Sequence, residues 1–181
     1  MTQVFWSCKK SSEKDKITEP KTNQIEEEPV LSPITGKACK FEMALQTDEF
    51  IREIDTLKGY EWDDKTKSAH LMLNDHWRLT LRRGGCDHFE LSATFLYDRT
   101  LEFESNREMI FDQAKWITGL IPEFDSAMIA EALDSSKFVI QPVMEGQYYI
   151  NFTDERMSDY YQFEYQTWDD STKFKIGRYY E

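Results

Sequence analysis

The chain has 181 residues, enough for one domain, and a formal net charge of −12 at pH 7. No apolar run reaches the roughly 18 residues of a membrane span. The acidity argues against nucleic acid as a partner, because binding phosphates takes a basic patch. Residues 1–36 carry five Lys/Arg against six Asp/Glu, so almost all the excess acid falls on the remainder. There it suits a solvated surface or a basic protein partner.

At the N-terminus, Phe5-Trp6-Ser7-Cys8 sets a small residue and a cysteine after an apolar stub. This resembles the lipobox that closes a bacterial lipoprotein signal, and the resemblance covers the tail alone. It implies that Cys8 is lipidated and becomes the mature N-terminus, anchoring the chain in the cell envelope, facing the periplasm or the exterior. Only seven residues precede Cys8. The reading therefore expects the basic and apolar parts of the signal upstream of Met1. The alternative is a cytoplasmic protein with a frayed N-terminus. Residues 9–36 are rich in Lys, Glu, Ser, Thr and Pro and cannot bury enough apolar surface to order themselves, which predicts a disordered polar linker. As a coil it reaches roughly 30 Å. A single α+β domain is expected over 37–181.

Cys8, Cys39 and Cys86 are the only cysteines. With Cys8 set aside as lipidated, Cys39 and Cys86 remain as a disulfide candidate closing a loop of about 48 residues, worth about 4 kcal/mol. In a reducing cytosol all three stay thiols. There is no C-x-x-C pair and the three histidines do not cluster, so neither a metal nor another cofactor is expected.

The domain should open with a strand through Cys39, Phe41, Met43 and Leu45, which alternate with polar or small residues. A helix follows from Asp48 to Lys58, with Phe50, Ile51, Ile54 and Leu57 on one face and Gly59 as its stop. Trp62-Asp63-Asp64-Lys65-Thr66-Lys67 is then echoed by Trp168-Asp169-Asp170-Ser171-Thr172-Lys173. Both resemble the Tyr-Asp-Asp-Ala-Thr-Lys turn in the second hairpin of immunoglobulin-binding domains of the protein G type. The resemblance implies a turn, not that fold or activity. In that register Trp168 pairs with Lys175, Tyr165 with Arg178 and Phe163 with Tyr180. Tyr161, Phe163 and Tyr165 then share a face with Phe174, Ile176 and Tyr180. The first copy sets Tyr60 and Trp62 beside Ala69, Leu71 and Leu73.

Trp77, Leu79 and Leu81 alternate on a strand, and Phe89 to Tyr97 return. A three-residue loop, Gly84-Gly85-Cys86, would pair Leu79 with Leu91 and Leu81 with Phe89. Ser105-Asn106-Arg107-Glu108 reads as a capping box opening a second helix, and Pro122 starts a third through Leu133. Strands Phe138–Met144 and Tyr148–Thr153 precede the final hairpin. The fold class is thus α+β: antiparallel β-meanders of about seven to nine strands with three helices packed on the sheet. A degenerate duplication, helix then meander in each half, is one reading of the echo.

No catalytic motif stands out. Asp75-His76 and Asp87-His88 suggest oriented bases, but solvent-facing strand histidines explain them as well, and no nucleophile has the expected context. Cys86 and His88, two apart on a strand, lie about 7 Å from one another, too far for direct proton transfer. Asp63-Asp64 and Asp169-Asp170 lack the other oxygen ligands of a calcium loop. The stretch 148–181 holds 11 of the 26 aromatic residues. Tyr149, Tyr160 and Tyr179 fall off its apolar face and are the ligand-binding candidates, suited to a protein or glycan partner. The expectation is a non-enzymatic binding domain, lipid-anchored in the cell envelope. Its alternatives are a cytosolic acidic inhibitor or immunity-type protein that masks a basic partner, and a Cys86/His88 enzyme.

Overall fold

The computed structural model describes residues 38–180; Cys8, the 9–36 linker and both outer limits of the domain lie outside the described residues. Eight antiparallel strands form one sheet. They are β1 (Glu61–Asp63), β2 (Ser68–Met72), β3 (Trp77–Gly84), β4 (Phe89–Tyr97), β5 (Phe138–Met144), β6 (Gln147–Phe152), β7 (Tyr161–Thr167) and β8 (Thr172–Tyr180). The sheet order is β1-β2-β3-β4-β8-β7-β6-β5, so each half is a four-stranded meander and the two meet through their last strands. The class is α+β with an antiparallel sheet. Among the described residues there are four helices rather than three: α1 (Glu49–Arg52), α2 (Phe103–Leu120), α3 (Ser126–Asp134) and α4 (Glu155–Ser158).

Period-2 patterning sorts the sheet into two faces. One row crosses all eight strands as Trp62, Ala69, Leu81, Ala93, Ile176, Phe163, Ile150 and Ile140. The inner members of this row, Ala69 to Ile150, are buried. α2 packs over it, with Trp116 against Phe95, Phe111 against Phe163, and Phe103 between Tyr148 and Tyr165. α3 adds Ile129, Ala132 and Leu133 to the same core. The alternate row reads Glu61, His70, Thr80, Thr94, Lys175, Glu164, Tyr149 and Gln141, and its residues are half-buried or exposed.

Both long-hairpin registers differ from expectation by four residues, an even slip that keeps every side chain on its expected face. Leu79 pairs with Phe95 and Leu81 with Ala93, and the loop is Gly85 to His88, centred on Asp87. β3 runs on through Arg83 and Gly84 because tertiary partners hold them. The Arg83 N–H donates to the Lys67 carbonyl at 3.0 Å, and the Arg83 guanidinium reaches Glu123 at 2.8 Å. In the last hairpin Thr167 pairs with Thr172, Tyr165 with Phe174 and Phe163 with Ile176. Here the Thr172 hydroxyl is drawn into the sheet: it donates to the Arg99 carbonyl at 3.0 Å and accepts the Leu101 N–H at 2.8 Å.

The two Trp-Asp-Asp-x-Thr-Lys turns therefore close differently. In the first, Trp62 pairs with Ala69 as the resemblance implies. Asp63 accepts from the Lys65 N–H and the Thr66 hydroxyl, each at 2.9 Å, and Lys67 takes a left-handed φ of 53°. The first turn joins β1 to β2 and the second joins β7 to β8, which are not equivalent places in the two meanders. The echo marks shared turn chemistry, whereas the helix-then-meander order does recur in both halves.

The segment expected as a first strand is instead an isolated bridge at Ala38 and a 3-10 turn, Met43–Leu45, with Leu45 exposed. Phe41 is held by its N–H to the Cys86 carbonyl at 2.9 Å and by its ring against Phe89. The expected Asp48–Lys58 helix breaks into α1 and a 3-10 turn, Asp55–Leu57. On an unbroken helix Ile51 and Leu57 would point about 120° apart; the break buries both. Asp48 does not cap, because its carboxylate accepts from Tyr60 at 2.6 Å and Arg52 at 2.5 Å. α2 starts at Phe103, two residues before the expected capping box, since burial of Phe103 pins the chain there. α3 starts at Ser126, beyond the turn that carries Pro122. α4, absent from the expectation, is opened by the Asp154 side chain, which accepts the Arg156 N–H and guanidinium. Those bonds hold the Asp154 carboxyl down at about 2. An Asp-Glu start ahead of Met157 was the available signal.

Candidate functional site

All helices longer than one turn lie on the Ala69–Ile150 side, leaving the other side of the sheet without a helix packed on it. Its middle is held by a charged network on β3, β4 and β8. Glu90 accepts from Lys175 Nζ at 2.7 Å and lies 3.4 Å from Arg82, and Lys175 also donates to the Tyr179 hydroxyl at 2.8 Å. Glu90 and Lys175 are largely buried, with side-chain exposures of 12% and 21%. Burial pushes the Glu90 carboxyl up, but Lys175 and the Ser92 hydroxyl outweigh it and hold it below the ordinary range. Burial likewise pulls Lys175 down, and bonds to Glu90 and Tyr179 more than restore it. Burial raises Tyr179, which stays a neutral phenol. Both shifts favour the ionised forms of Glu90 and Lys175.

Two concavities flank this network and share His70, Thr80 and Thr94. One, of about 690 Å³, is walled by Lys58 and Gly59 and floored by Met72, Arg78, Leu96 and Lys173. The other, of about 380 Å³, runs past Arg82, Glu90, Ser92 and Lys175. His70 Nδ1 lies 3.0 Å from the Thr80 hydroxyl, directing Nε2 away from that bond. A third cleft, of about 980 Å³, sits at the end of the sheet between the β5–β6 and β7–β8 turns. Trp168, Tyr148 and Phe103 line it together with Glu102, Glu145, Asp169 and Asp170.

Tyr179 and Tyr149 both project from the open side, on β8 and β6. Tyr160 adjoins Tyr179, whose N–H donates to the Tyr160 carbonyl at 2.9 Å. Tyr149 is opposite Glu164, four residues along β7 from Tyr160, so the three do not form one patch. The face that sequence reasoning missed is the one centred on Lys175 and Arg78. Its residues are ordinary polar strand positions, and only the cross-strand register brings them together.

Cys39 and Cys86 are disulfide-bonded, with Cα atoms 4.7 Å apart. In this form the Cys86 sulfur is no nucleophile. His88 sits exposed in the loop, and Arg82 pairs with Ser92 rather than with His88. The Gly85 N–H and carbonyl both bond the buried Gln46 side chain, at 2.8 and 2.9 Å. Gly85 has a φ of 152°, and a Cβ there would strike the His88 carbonyl. His76 bonds Asp98, not Asp75: Nδ1 lies 3.0 Å from the carboxylate while Nε2 accepts from Arg99 at 3.2 Å. Both ring nitrogens are thus satisfied at the surface. Among the described residues no His/Cys/Asp/Glu group could hold a metal ion, and no helix is long and apolar enough to cross a membrane. Comparison with protein-family models, curated proteins and solved structures returns no match.

Proposed function

We propose that this chain is a non-catalytic binding domain that meets its partner through the open side of the sheet, displayed in the cell envelope from a lipid-modified Cys8. One observation carries the binding reading: an eight-stranded sheet has helices on one side only, and the uncovered side carries two adjoining concavities beside the Glu90–Lys175–Tyr179 network. The Cys39–Cys86 bridge favours an oxidising compartment, because cytosolic thiols stay reduced. Mass spectrometry of the protein from its native host tests the address. The expected species begins at a lipid-modified Cys8 and carries one disulfide. Cytosolic material with an unmodified Met1 and three alkylatable thiols overturns it.

A second reading, an acidic protein that masks a basic partner, is favoured by the cleft at the end of the sheet. There four carboxylates surround Trp168 and Tyr148, and none of the four is ion-paired to a described residue. It predicts a salt-sensitive complex lost on D169N/D170N, with the open side of the sheet left free.

A further inference from the structure

We propose that the trough on the open side takes an extended peptide headed by an acidic residue, with Arg78 and Lys173 as the carboxylate anchors; this deepens, and rests on, the reading of that side as the binding face. The argument begins with charge. In this acidic chain every described Lys and Arg has a carboxylate within ion-pair distance except Lys40, Lys65, Arg78 and Lys173. Arg78 and Lys173 are the two that stand together. Both pair with Leu96, one on each side, so two cations without a carboxylate flank a single apolar residue across adjacent strands; Lys173 Nζ rests 5.7 Å from the Trp168 ring centroid, a contact it would give up for a carboxylate. At about 4.8 Å per strand their Cα atoms lie about 10 Å apart, a spacing that lets both side chains converge on one carboxylate above Leu96. Of the groove's lining, only Glu61 is acidic.

Shape decides the rest. Beside the cations, Leu96 and the exposed Met72 offer an apolar floor for the residue next to the acid. The groove continues past the hydroxyls of Thr80 and Thr94 and the free side of His70 into the smaller concavity that ends at Arg82 and Ser92. From Arg78 to Arg82 is four residues, roughly 13 Å, the length of four extended residues. Hydroxyls and an imidazole along that line suit backbone amides, whereas an acyl chain would gain nothing from them. An occupant with a carboxylate at one end, an aliphatic or aromatic side chain beside it and an extended backbone behind meets each feature in order.

The test is selection from a random heptapeptide phage library on the full chain, with counter-selection on R78Q/K173Q. Enriched peptides should carry Asp or Glu within two residues of a large apolar side chain. A synthetic copy of the leading peptide should bind R78Q/K173Q about 100-fold more weakly, tenfold per charge-assisted contact removed. It should bind K65Q as it binds the parent, because Lys65 is an unpaired cation at a hairpin tip. Arg78 is exposed and Lys173 half-exposed, so unchanged melting of the double variant separates lost binding from lost folding. The inference is overturned if the selected peptides lack an acid, or bind R78Q/K173Q equally well. It is overturned too if phosphatidylglycerol vesicles, and no peptide, bind in an Arg78- and Lys173-dependent way. Peptides whose amide-shift footprint falls on the open side but away from Arg78 would defeat the inference and leave the wider binding reading standing. Footprints confined to the helix side or the acidic cleft would defeat both.

Discussion

Severing the Cys39–Cys86 bridge, as C39A/C86A, should cost about 4 kcal/mol of stability without changing the fold. The bridge spans a sequence separation of 47. Closing a loop of that length removes about 14 cal/mol/K from the unfolded chain, which is about 4 kcal/mol at 25 °C. The native geometry has other supports at the same place: the Phe41 N–H on the Cys86 carbonyl, the Phe41 ring on Phe89, and Gln46 on both polar groups of Gly85. The folded state should therefore persist, and the loss should come from the freed unfolded ensemble. Urea denaturation followed by tryptophan fluorescence should show the drop, and the melting midpoint should fall by about 10 °C. A loss below about 1 kcal/mol, at a comparable dependence on urea, would refute the loop-closure reasoning. So would collapse of the near-ultraviolet dichroism in the absence of denaturant, since the bridge would then be placing the segment rather than constraining it.

Gln46→Leu should cost about 2–6 kcal/mol in the same urea assay, because it strands the buried N–H and carbonyl of Gly85 at about 1–3 kcal/mol each; a cost under 1 kcal/mol would mean that water replaces the amide. Glu90→Gln should cost about 2–3 kcal/mol at neutral pH by leaving Lys175 underpaired in a largely buried setting. Because the folded Glu90 carboxyl lies below its ordinary 4.5, its contribution is present above that pH and fades as pH falls through the folded value. Melts from pH 7 to pH 3 should accordingly be flatter for E90Q than for the parent. Tyr161→Phe tests the alkaline side: burial lifts the Tyr161 phenol from 10 to about 12, so its contribution is present below pH 10 and is lost between 10 and 12. The variant should lose less stability across that window, and should start lower because the Asp125 N–H loses its acceptor.

From Tyr60 onward, residue patterning was enough to mark the strands and the side each strand residue faces, whereas the strand expected through Cys39–Leu45 did not form. Alternation in Trp77–Leu81, Phe89–Tyr97 and Tyr161–Tyr165 reflects a period of two, and that period survives any even slip. This is why both long hairpins could shift by four residues and still bury the expected side chains. The shifts themselves came from tertiary partners: Glu123 and Lys67 holding Arg83 in the sheet, and the 99–101 segment capturing Thr172. Local turn chemistry could not foresee them, and two near-identical turns closed in two registers for that reason. The same limit governs the proposed binding face. Arg78, Leu96 and Lys173 lie on three strands, with three helices and three further strands between the second and third. Nothing in their spacing along the chain joins them; the meeting of the two meanders through β4 and β8 does.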